Sequence, residues 1–383
     1  MRLYSNYIVL KDSVAEGTIE IEGEHIKEVR IGDRPEGEFL DCTGKFVMPG
    51  MINIQSRNFD LGEAERYFSQ YPMLRQFNRV DRASALSGIT TVYHSIDIEE
   101  FLRGYDGEQA VERLNKLRIY KEEKHLVEHK IHLKFRIGDI RNIEFMKHLI
   151  SNGLVDLITY MGSVRGEQEY FKDEYFLEYL KEKFDIKDRL AWAILERIKE
   201  RRFEINQEEI AYRFKYAASA RIPVATTKYR LSESMEKKYS SKISIILDPV
   251  EPEALDYVQK NHKYATIDAS NLWDLDKILN YSSGVAKGSF NILTASHSPE
   301  DLLESVFMMA QEIGLVETVR MVSYNPAKAL GLKGKGSIAK GSCADLIVVE
   351  YDGGLPMNMM TICSGKVVSE LSYRSGQTGR GRR

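Results

Sequence analysis

The chain has 383 residues, with 54 basic and 57 acidic side chains and a formal net charge of -3. This length is sufficient for one large domain and a smaller one, while the balanced charge and the lack of any apolar run of about 18 residues exclude nucleic acid and membrane as expected partners. Three cysteines without a Cys-x-x-Cys pair argue against a disulfide framework and, with no signal peptide at the N-terminus, favour the reducing cytoplasm.

Short strands are predicted near both ends of the chain. Polar and apolar residues alternate over 18–30 on either side of a Gly-Glu turn, which is typical of a hairpin. The apolar run 344–350 is typical of a buried strand. Because neither end is long enough to bury a core of its own, we predict that residues 1–50 and 336–372 pair into one composite β-sandwich.

The segment between these ends, residues 51–335, alternates β-rich runs with helical stretches. Eight strands alternating with helices over such a length predict an α/β fold, a (β/α)8 TIM barrel, with catalytic residues at the carboxyl ends of its strands. The candidate strands are 51–56, 89–95, 130–136, 155–161, 222–227, 243–247, 263–268 and 290–295.

Three further segments have their own predictions. A charged helical stretch at about 168–219 is longer than a barrel loop requires, and it is either a lid or dimerisation arm or a solvated helical excursion. Asn325 and Pro326 predict the start of a helix, with asparagine as the N-cap. The Gly/Arg-rich tail at 373–383 is predicted to be a disordered basic terminus.

Two segments resemble the amidohydrolase superfamily, namely Gly-Lys-Phe-Val-Met-Pro-Gly at 44–50 and the run at 325–349. Within it the chain is similar to the metal-dependent diphosphatases of phosphonate metabolism, at 83–92, 128–136, 166–171 and 179–184. The resemblance covers nearly the whole chain. It implies a barrel joined to a sandwich, a metal-dependent hydrolase site at the barrel mouth and a homo-oligomer.

The residues at the implied metal-ligand positions depart from that family. Divalent cations need carboxylates or neutral imidazoles, typically three or more for a catalytic ion, and arginine has no lone pair to offer. We therefore predict that no metal cofactor binds at these positions, with the alternative of a divalent metal at a non-standard site left open. The replaced positions are Gln55 and Arg57 on the first strand, Arg136 on the third, Ser163 after the fourth, Thr227 and Lys228 on the fifth, and Ser296 on the eighth.

Several histidines lie near these strands but are dispersed. His132 and Arg136 face the same side of their strand, and His132 lies four residues, or about 13 Å, deeper in the barrel. His132 is therefore predicted to be a buried, hydrogen-bonded core residue. His297 follows Ser296 in a loop at the barrel mouth, and it is either a functional residue or a solvated loop histidine. The same two interpretations apply to His94 on the second strand.

Three of the replacements are cations, which gives an anion site as a candidate. Buried cations must meet a bound anion or internal carboxylates, because an unpaired buried charge is costly. The predicted anion-binding residues are Arg57, Arg136, Lys228 and His297. The alternative is internal pairing with carboxylates, for which the candidates are Asp60, Asp248 and Asp268.

Three functional hypotheses follow. The first is a catalytically degenerate homologue of the phosphonate-metabolism diphosphatases, a pseudoenzyme that binds a phosphorylated small molecule or a protein partner. The second is an active hydrolase acting on a phosphate ester or C–N substrate, with no metal or with a relocated one. The third is a structural or assembly protein whose pocket is filled by side chains.

Overall fold

The computed structural model describes most of the chain, with gaps between its segments. The described residues are 1–57, 73–97, 115–116, 118–120, 122, 125–136, 143–161, 177–178, 180–181, 186–203, 220–227, 243–249, 252–273, 281, 283–285, 288 and 290–373. They form two eight-stranded sheets, one built from both ends of the described chain and the other from its middle.

The first sheet combines strands from both ends, as predicted for residues 1–50 and 336–372. β5 pairs antiparallel with β14 and parallel with β1, which joins the early strands to the late ones. The sheet order is β16-β15-β14-β5-β1-β2-β3, and β4 lies beside β1. The strands are β1 (Arg2–Val9), β2 (Val14–Glu22), β3 (His25–Ile31), β4 (Leu40–Asp41), β5 (Phe46–Pro49), β14 (Leu346–Glu350), β15 (Met357–Cys363) and β16 (Lys366–Glu370).

The second sheet is a parallel, nearly closed barrel that contains all eight predicted strands. They pair in chain order, and each lies within a few residues of its predicted bounds. The strands are β6 (Met51–Ser56), β7 (Ile89–Asp97), β8 (Glu128–Arg136), β9 (Leu157–Met161), β10 (Val224–Thr226), β11 (Ile243–Ile246), β12 (Tyr264–Asp268) and β13 (Ile292–Thr294).

A side chain helps to close this barrel between its first and last strands. Asn53 on β6 donates from Nδ2 to the carbonyl oxygen of Ala295 at 2.7 Å, and its Oδ1 accepts from the backbone N–H of Ala295 at 3.2 Å. Asn53 is fully buried, so these bonds have no competition from water. These bonds therefore hold the middle of β6 against the segment that follows β13.

Helices lie between the barrel strands and after the last one. None in the described part of the chain has the length and apolar composition needed to cross a membrane. They are α1 (Met73–Leu86), α2 (Ile143–Ser151), α3 (Asp188–Phe203), α4 (Pro252–Lys260), α5 (Glu300–Ile313), α6 (Leu315–Val322) and α7 (Tyr324–Leu330), with a 3-10 turn at Ala269–Leu272.

Three predictions outside the barrel strands have different outcomes. Within the predicted insertion, 168–219, α3 is helical, and most of the other residues lie outside the described ones. Of the predicted tail, 373–383, only Tyr373 is described. The predicted N-cap at Asn325 is wrong, because α7 begins at Tyr324 and the Asn325 amide donates instead to the carbonyl oxygen of Asn291 at 2.8 Å.

A buried cation joins the composite sheet to the barrel. Lys335 Nζ lies 2.5 Å from Asp345 Oδ2, just before β14, and 2.9 Å from Glu128 Oε2 at the start of β8. Burial would raise the pKa of the Glu128 carboxyl, but Lys335 and Lys130 outweigh it and lower this pKa to about 2. The two sheets are thus connected by a charged contact at the amino-terminal end of the barrel strands.

A second buried polar group packs between α1 and the barrel wall. Asp81 on α1 accepts hydrogen bonds from the backbone N–H groups of Leu126 and Val127, at 3.0 and 3.1 Å from Oδ1. It also contacts His129 Nε2 at 3.0 Å, and His129 Nδ1 lies 2.7 Å from His94 Nε2. His94 therefore belongs to this outer layer and not to the barrel mouth.

We expect the stability of the protein to fall in mild acid. Burial lowers the pKa values of His94 and His132 well below 6.5, so the folded state takes up protons less readily than the unfolded chain. Their stabilising contribution is complete above pH 6.5 and is lost as the pH falls below it, by at most about 1.4 kcal/mol per pH unit for each histidine. Urea unfolding at several pH values measures this loss.

Two histidine variants provide the comparison for that pH profile. His132→Gln should roughly halve the loss, whereas His148→Gln, at an exposed position on α2, should leave it unchanged. An unfolding free energy that stays constant between pH 7.5 and 5.5 in the unsubstituted protein would contradict the assignment of neutral buried imidazoles.

Candidate functional site

The carboxyl end of β6 places a buried amide in the barrel mouth. Gln55 is 6% exposed, and its Nε2 donates to Asp248 Oδ2 at 3.1 Å. Its backbone N–H donates to Asn53 Oδ1 at 3.2 Å, so Asn53, which joins the first and last barrel strands, also orients Gln55. Gln55 Oε1 is buried and has no hydrogen-bond partner among the described residues.

Asp248 follows β11 and is held in an uncommon backbone conformation. Its φ of 45° lies in the left-handed region, which aspartate tolerates better than most residues. Its backbone N–H donates to Thr266 Oγ1 at 2.8 Å, and that hydroxyl donates to Asp248 Oδ1 at 2.7 Å. Burial and then the charge of Asp268 raise the pKa of Asp248, against the opposing effects of Thr266, Gln55 and Lys134.

A second carboxylate ends the neighbouring strand, β12. Asp268 accepts from the backbone N–H and hydroxyl of Ser270 at 3.0 and 2.6 Å, and from the backbone N–H of Ser296 at 3.0 Å. Burial and then the charges of Asp248 and Asp268 raise the pKa of Tyr281, so its phenol lies within their field. The β11–β12 side of the mouth therefore concentrates hydrogen-bond acceptors.

Lys134 is a cation of this region that the sequence prediction omitted. It lies on β8 between His132 and Arg136, with the same parity as both, and its side chain is half-buried. Its positive charge lowers the pKa values of both Asp248 and His132. This parity could have identified Lys134 from the sequence. Because Lys134 lies between His132 and Arg136 on one face of β8, it also faces the barrel interior.

Four of the predicted site residues come together where β6 and β13 end. Arg57 is half-buried, and its backbone N–H donates to the Ser296 carbonyl oxygen at 2.8 Å. Ser296 is buried, and its Oγ lies 2.8 Å from Nδ1 of the exposed His297. Gln55 completes the group, two residues before Arg57 on the same side of the strand.

The other predicted positions lie elsewhere around the mouth or outside the described residues. Thr227 follows β10, and its backbone N–H donates to the carbonyl oxygen of Tyr160 at 3.3 Å. Arg136 is the last residue of β8, opposite Met161 of β9, and only its backbone is described. Ser163 and Lys228 lie outside the described residues.

Of the three cations in the alternative of internal ion pairs, only Arg57 has a described side chain, and it is not hydrogen-bonded to Asp248 or Asp268. Asp248 accepts from Gln55 and Thr266, while Asp268 accepts from Ser270 and Ser296, so neither carboxylate has Arg57 as its hydrogen-bond donor. Asp60, the third candidate partner, lies outside the described residues.

His132 is a core residue, as predicted. It is fully buried, its Nδ1 lies 2.9 Å from the carbonyl oxygen of Ile54, and its Nε2 lies 2.6 Å from Thr159 Oγ1. Both ring nitrogens are therefore occupied by hydrogen bonds, which fixes the imidazole below the mouth.

The described side chains at the implied ligand positions do not supply the ligands that a catalytic divalent cation needs. Arg57 has no lone pair, and Gln55 and Ser296 offer only a neutral amide oxygen and a hydroxyl, without a carboxylate or an imidazole. Within the described segments no group of three or more histidine, cysteine, aspartate or glutamate side chains has a metal-binding arrangement. The chemistry of these side chains instead suits hydrogen bonding and anion recognition.

Comparison with known proteins finds similarity to one family over part of the chain and to one curated protein over most of it. Residues 266–369 match the profile of the amidohydrolase family. The chain is similar to alpha-D-ribose 1-methylphosphonate 5-triphosphate diphosphatase of Escherichia coli, 23% identical over 363 residues, covering 89% of this chain and 93% of that protein.

Solved structures of amidohydrolases share the fold. N-acetyl-D-glucosamine-6-phosphate deacetylase from Mycobacterium smegmatis aligns with a TM-score of 0.65 and 15% identity, over 96% of this chain and 100% of that one. A beta-aspartyl dipeptidase from Fervidobacterium islandicum aligns with a TM-score of 0.66 and 13% identity, over 99% and 100% of the two chains. The predicted barrel with an attached β-domain is therefore confirmed as a fold that the chain shares with these two proteins.

Proposed function

We propose that this protein is a catalytically degenerate homologue of the diphosphatase to which it is similar, and that it binds a phosphorylated small molecule at the barrel mouth. The observation that carries the proposal is the pair of side chains ending β6. Gln55 is hydrogen-bonded to Asp248, and Arg57 follows two residues later. An amide and a guanidinium replace two ligands, so the position offers hydrogen bonds and positive charge in place of metal coordination.

The cationic residues support an anionic ligand. Arg57 is half-buried at the end of β6, and the side chain of Lys134 enters from β8 on the same face as Arg136 and His132. Guanidinium groups bind phosphate oxygens through paired N–H donors, while an ammonium group adds a point charge. Lys228, next along the chain after Thr227, adds a fourth cation to the sequence of this region.

Metal content and ligand binding together test the proposal. Elemental analysis of the purified protein should give much less than one zinc, manganese or iron per chain. Ribose 5-phosphate should raise the melting temperature in a concentration-dependent way, because a ligand that binds only the folded state stabilises it by RT ln(1 + [L]/Kd). Stoichiometric metal together with turnover of a phosphate ester would instead establish the active-hydrolase alternative.

Replacing Arg57 should weaken binding of the anion. In Arg57→Met we expect the affinity for ribose 5-phosphate to fall by about tenfold to a hundredfold, because a charge-assisted hydrogen bond contributes about 1.5–3 kcal/mol. Isothermal titration calorimetry measures the change. The matched control is Arg189→Met on the exposed face of α3, which should bind as the unsubstituted protein does. Equal affinities of both variants would contradict the role of Arg57.

A further inference from the structure

One acceptor in the barrel mouth lacks a donor. Gln55 is 6% exposed, and its Oε1 is buried with no hydrogen-bond partner among the described residues. Its Nε2 lies 3.1 Å from Asp248 Oδ2, so Oε1 of the same amide lies close to that carboxylate. A buried acceptor without a partner is unfavourable, so this position requires a donor beyond those that the described residues supply.

The surroundings of this acceptor carry negative charge. Asp248 and Asp268 end neighbouring strands and interact electrostatically, and Lys134 is the described cation whose charge acts on Asp248. Asp268 is held by Ser270 and by the backbone N–H of Ser296, which donate hydrogen bonds but carry no charge. A ligand ammonium would add a second positive charge beside Asp248, on which the charge of Lys134 already acts.

We propose that Gln55, Asp248 and Asp268 form a subsite for the protonated amine of a ligand whose phosphate group lies on the Arg57 side of the mouth. The chemical class is an amino-substituted phosphate monoester. An ammonium group has three donors and no acceptor, which complements an amide oxygen and two carboxylates. This inference rests on the proposed function, because the phosphate holds the ligand in place, but it concerns a different set of contacts.

Three small phosphates of similar size test the subsite by calorimetry on the full chain at pH 7. They are 2-aminoethyl phosphate, 2-hydroxyethyl phosphate and ethyl phosphate. We expect the amine to bind about tenfold or more tightly than ethyl phosphate, since a charged donor meets a buried acceptor. Gln55→Leu should abolish this preference and bind ethyl phosphate within about twofold of the unsubstituted protein. Gln259→Leu, at an exposed position on α4, should retain the preference.

A second variant guards against misfolding caused by a change at buried Gln55. Asp248→Asn keeps the shape of the side chain and tolerates the left-handed backbone, yet removes the charge, so it should also lose the amine preference. Equal binding of the three phosphates would overturn the amine subsite and leave the anion site intact. Tightest binding of the hydroxyl compound would assign a neutral donor to Gln55 and overturn the ammonium. Failure of all three to bind would overturn the proposed function as well.

Discussion

Lys335→Met is expected to lower the free energy of unfolding by about 3–5 kcal/mol, because it leaves the buried Asp345 carboxylate without its cation and removes one of the two lysines paired with Glu128. The Lys335 side chain is 15% exposed and lies 2.5 Å from Asp345 and 2.9 Å from Glu128, whose side chains are 5% and 32% exposed. The loss of the cation therefore affects both the start of β14 and the start of β8. Chemical denaturation monitored by circular dichroism measures the change.

The same substitution at an exposed ion pair serves as its control. Lys27 lies 3.0 Å from Glu20 on the composite sheet, but its side chain is 49% exposed, so Lys27→Met should cost less than about 1 kcal/mol. Since the folded pKa of Glu128 is about 2, the contribution of this carboxylate is complete above its usual pKa of 4.5 and is lost as the pH falls towards 2. Similar losses of stability in the two lysine variants would refute the connecting role of Lys335.

Asp81→Ala is expected to destabilise the fold by about 3–5 kcal/mol, because it leaves several buried donors unsatisfied. Asp81 is 5% exposed and accepts from the backbone N–H groups of Leu126 and Val127 and from His129. Burial would raise the pKa of Asp81, but His129 and the two N–H groups outweigh it and lower this pKa, so the carboxylate stays ionised.

The comparison for this variant is an aspartate that also accepts a backbone hydrogen bond but is exposed. Asp352 accepts from the N–H of Gly354 at 3.2 Å in a surface turn, and Asp352→Ala should change stability by less than about 0.5 kcal/mol. Thermal unfolding of both variants at pH 7 measures the difference. A loss of stability in Asp81→Ala no larger than in Asp352→Ala would show that water readily replaces the carboxylate.

The barrel was predictable from sequence because each strand is a short apolar run separated by helical segments. β6 illustrates this: the predicted 51–56 is the observed Met51–Ser56, all six residues being buried. The joining of both ends of the chain into one β-domain was also predicted, since neither end could bury a core alone, but the strand pair that joins them, β5 with β14, was not. The helix start at Asn325 was less predictable, because its side chain bonds to Asn291 across the fold and not to the adjacent helix.

The site was only partly predictable, because its contacts cross the barrel. The sequence alone predicted that Gln55 and Arg57 lie on one side of β6, because side chains two residues apart on a strand point in the same direction. The bond between Gln55 and Asp248 joins the first strand to the sixth, and no local pattern specifies that distance. Lys134 has the parity of His132 and Arg136, but it stands at no expected metal-ligand position, so comparison of those positions does not identify it.

The composite sheet has a consequence for the synthesis of the protein. β1–β5 leave the ribosome before any of the barrel, yet β5 finds its antiparallel partner only in β14, which follows the whole barrel. Until β14 emerges, the nascent chain carries one strand edge with unpaired N–H and C=O groups, a surface prone to association with other chains. Completion of this sheet is thus a late, post-barrel event, and the growing polypeptide depends on protection of the β5 edge while the barrel is translated.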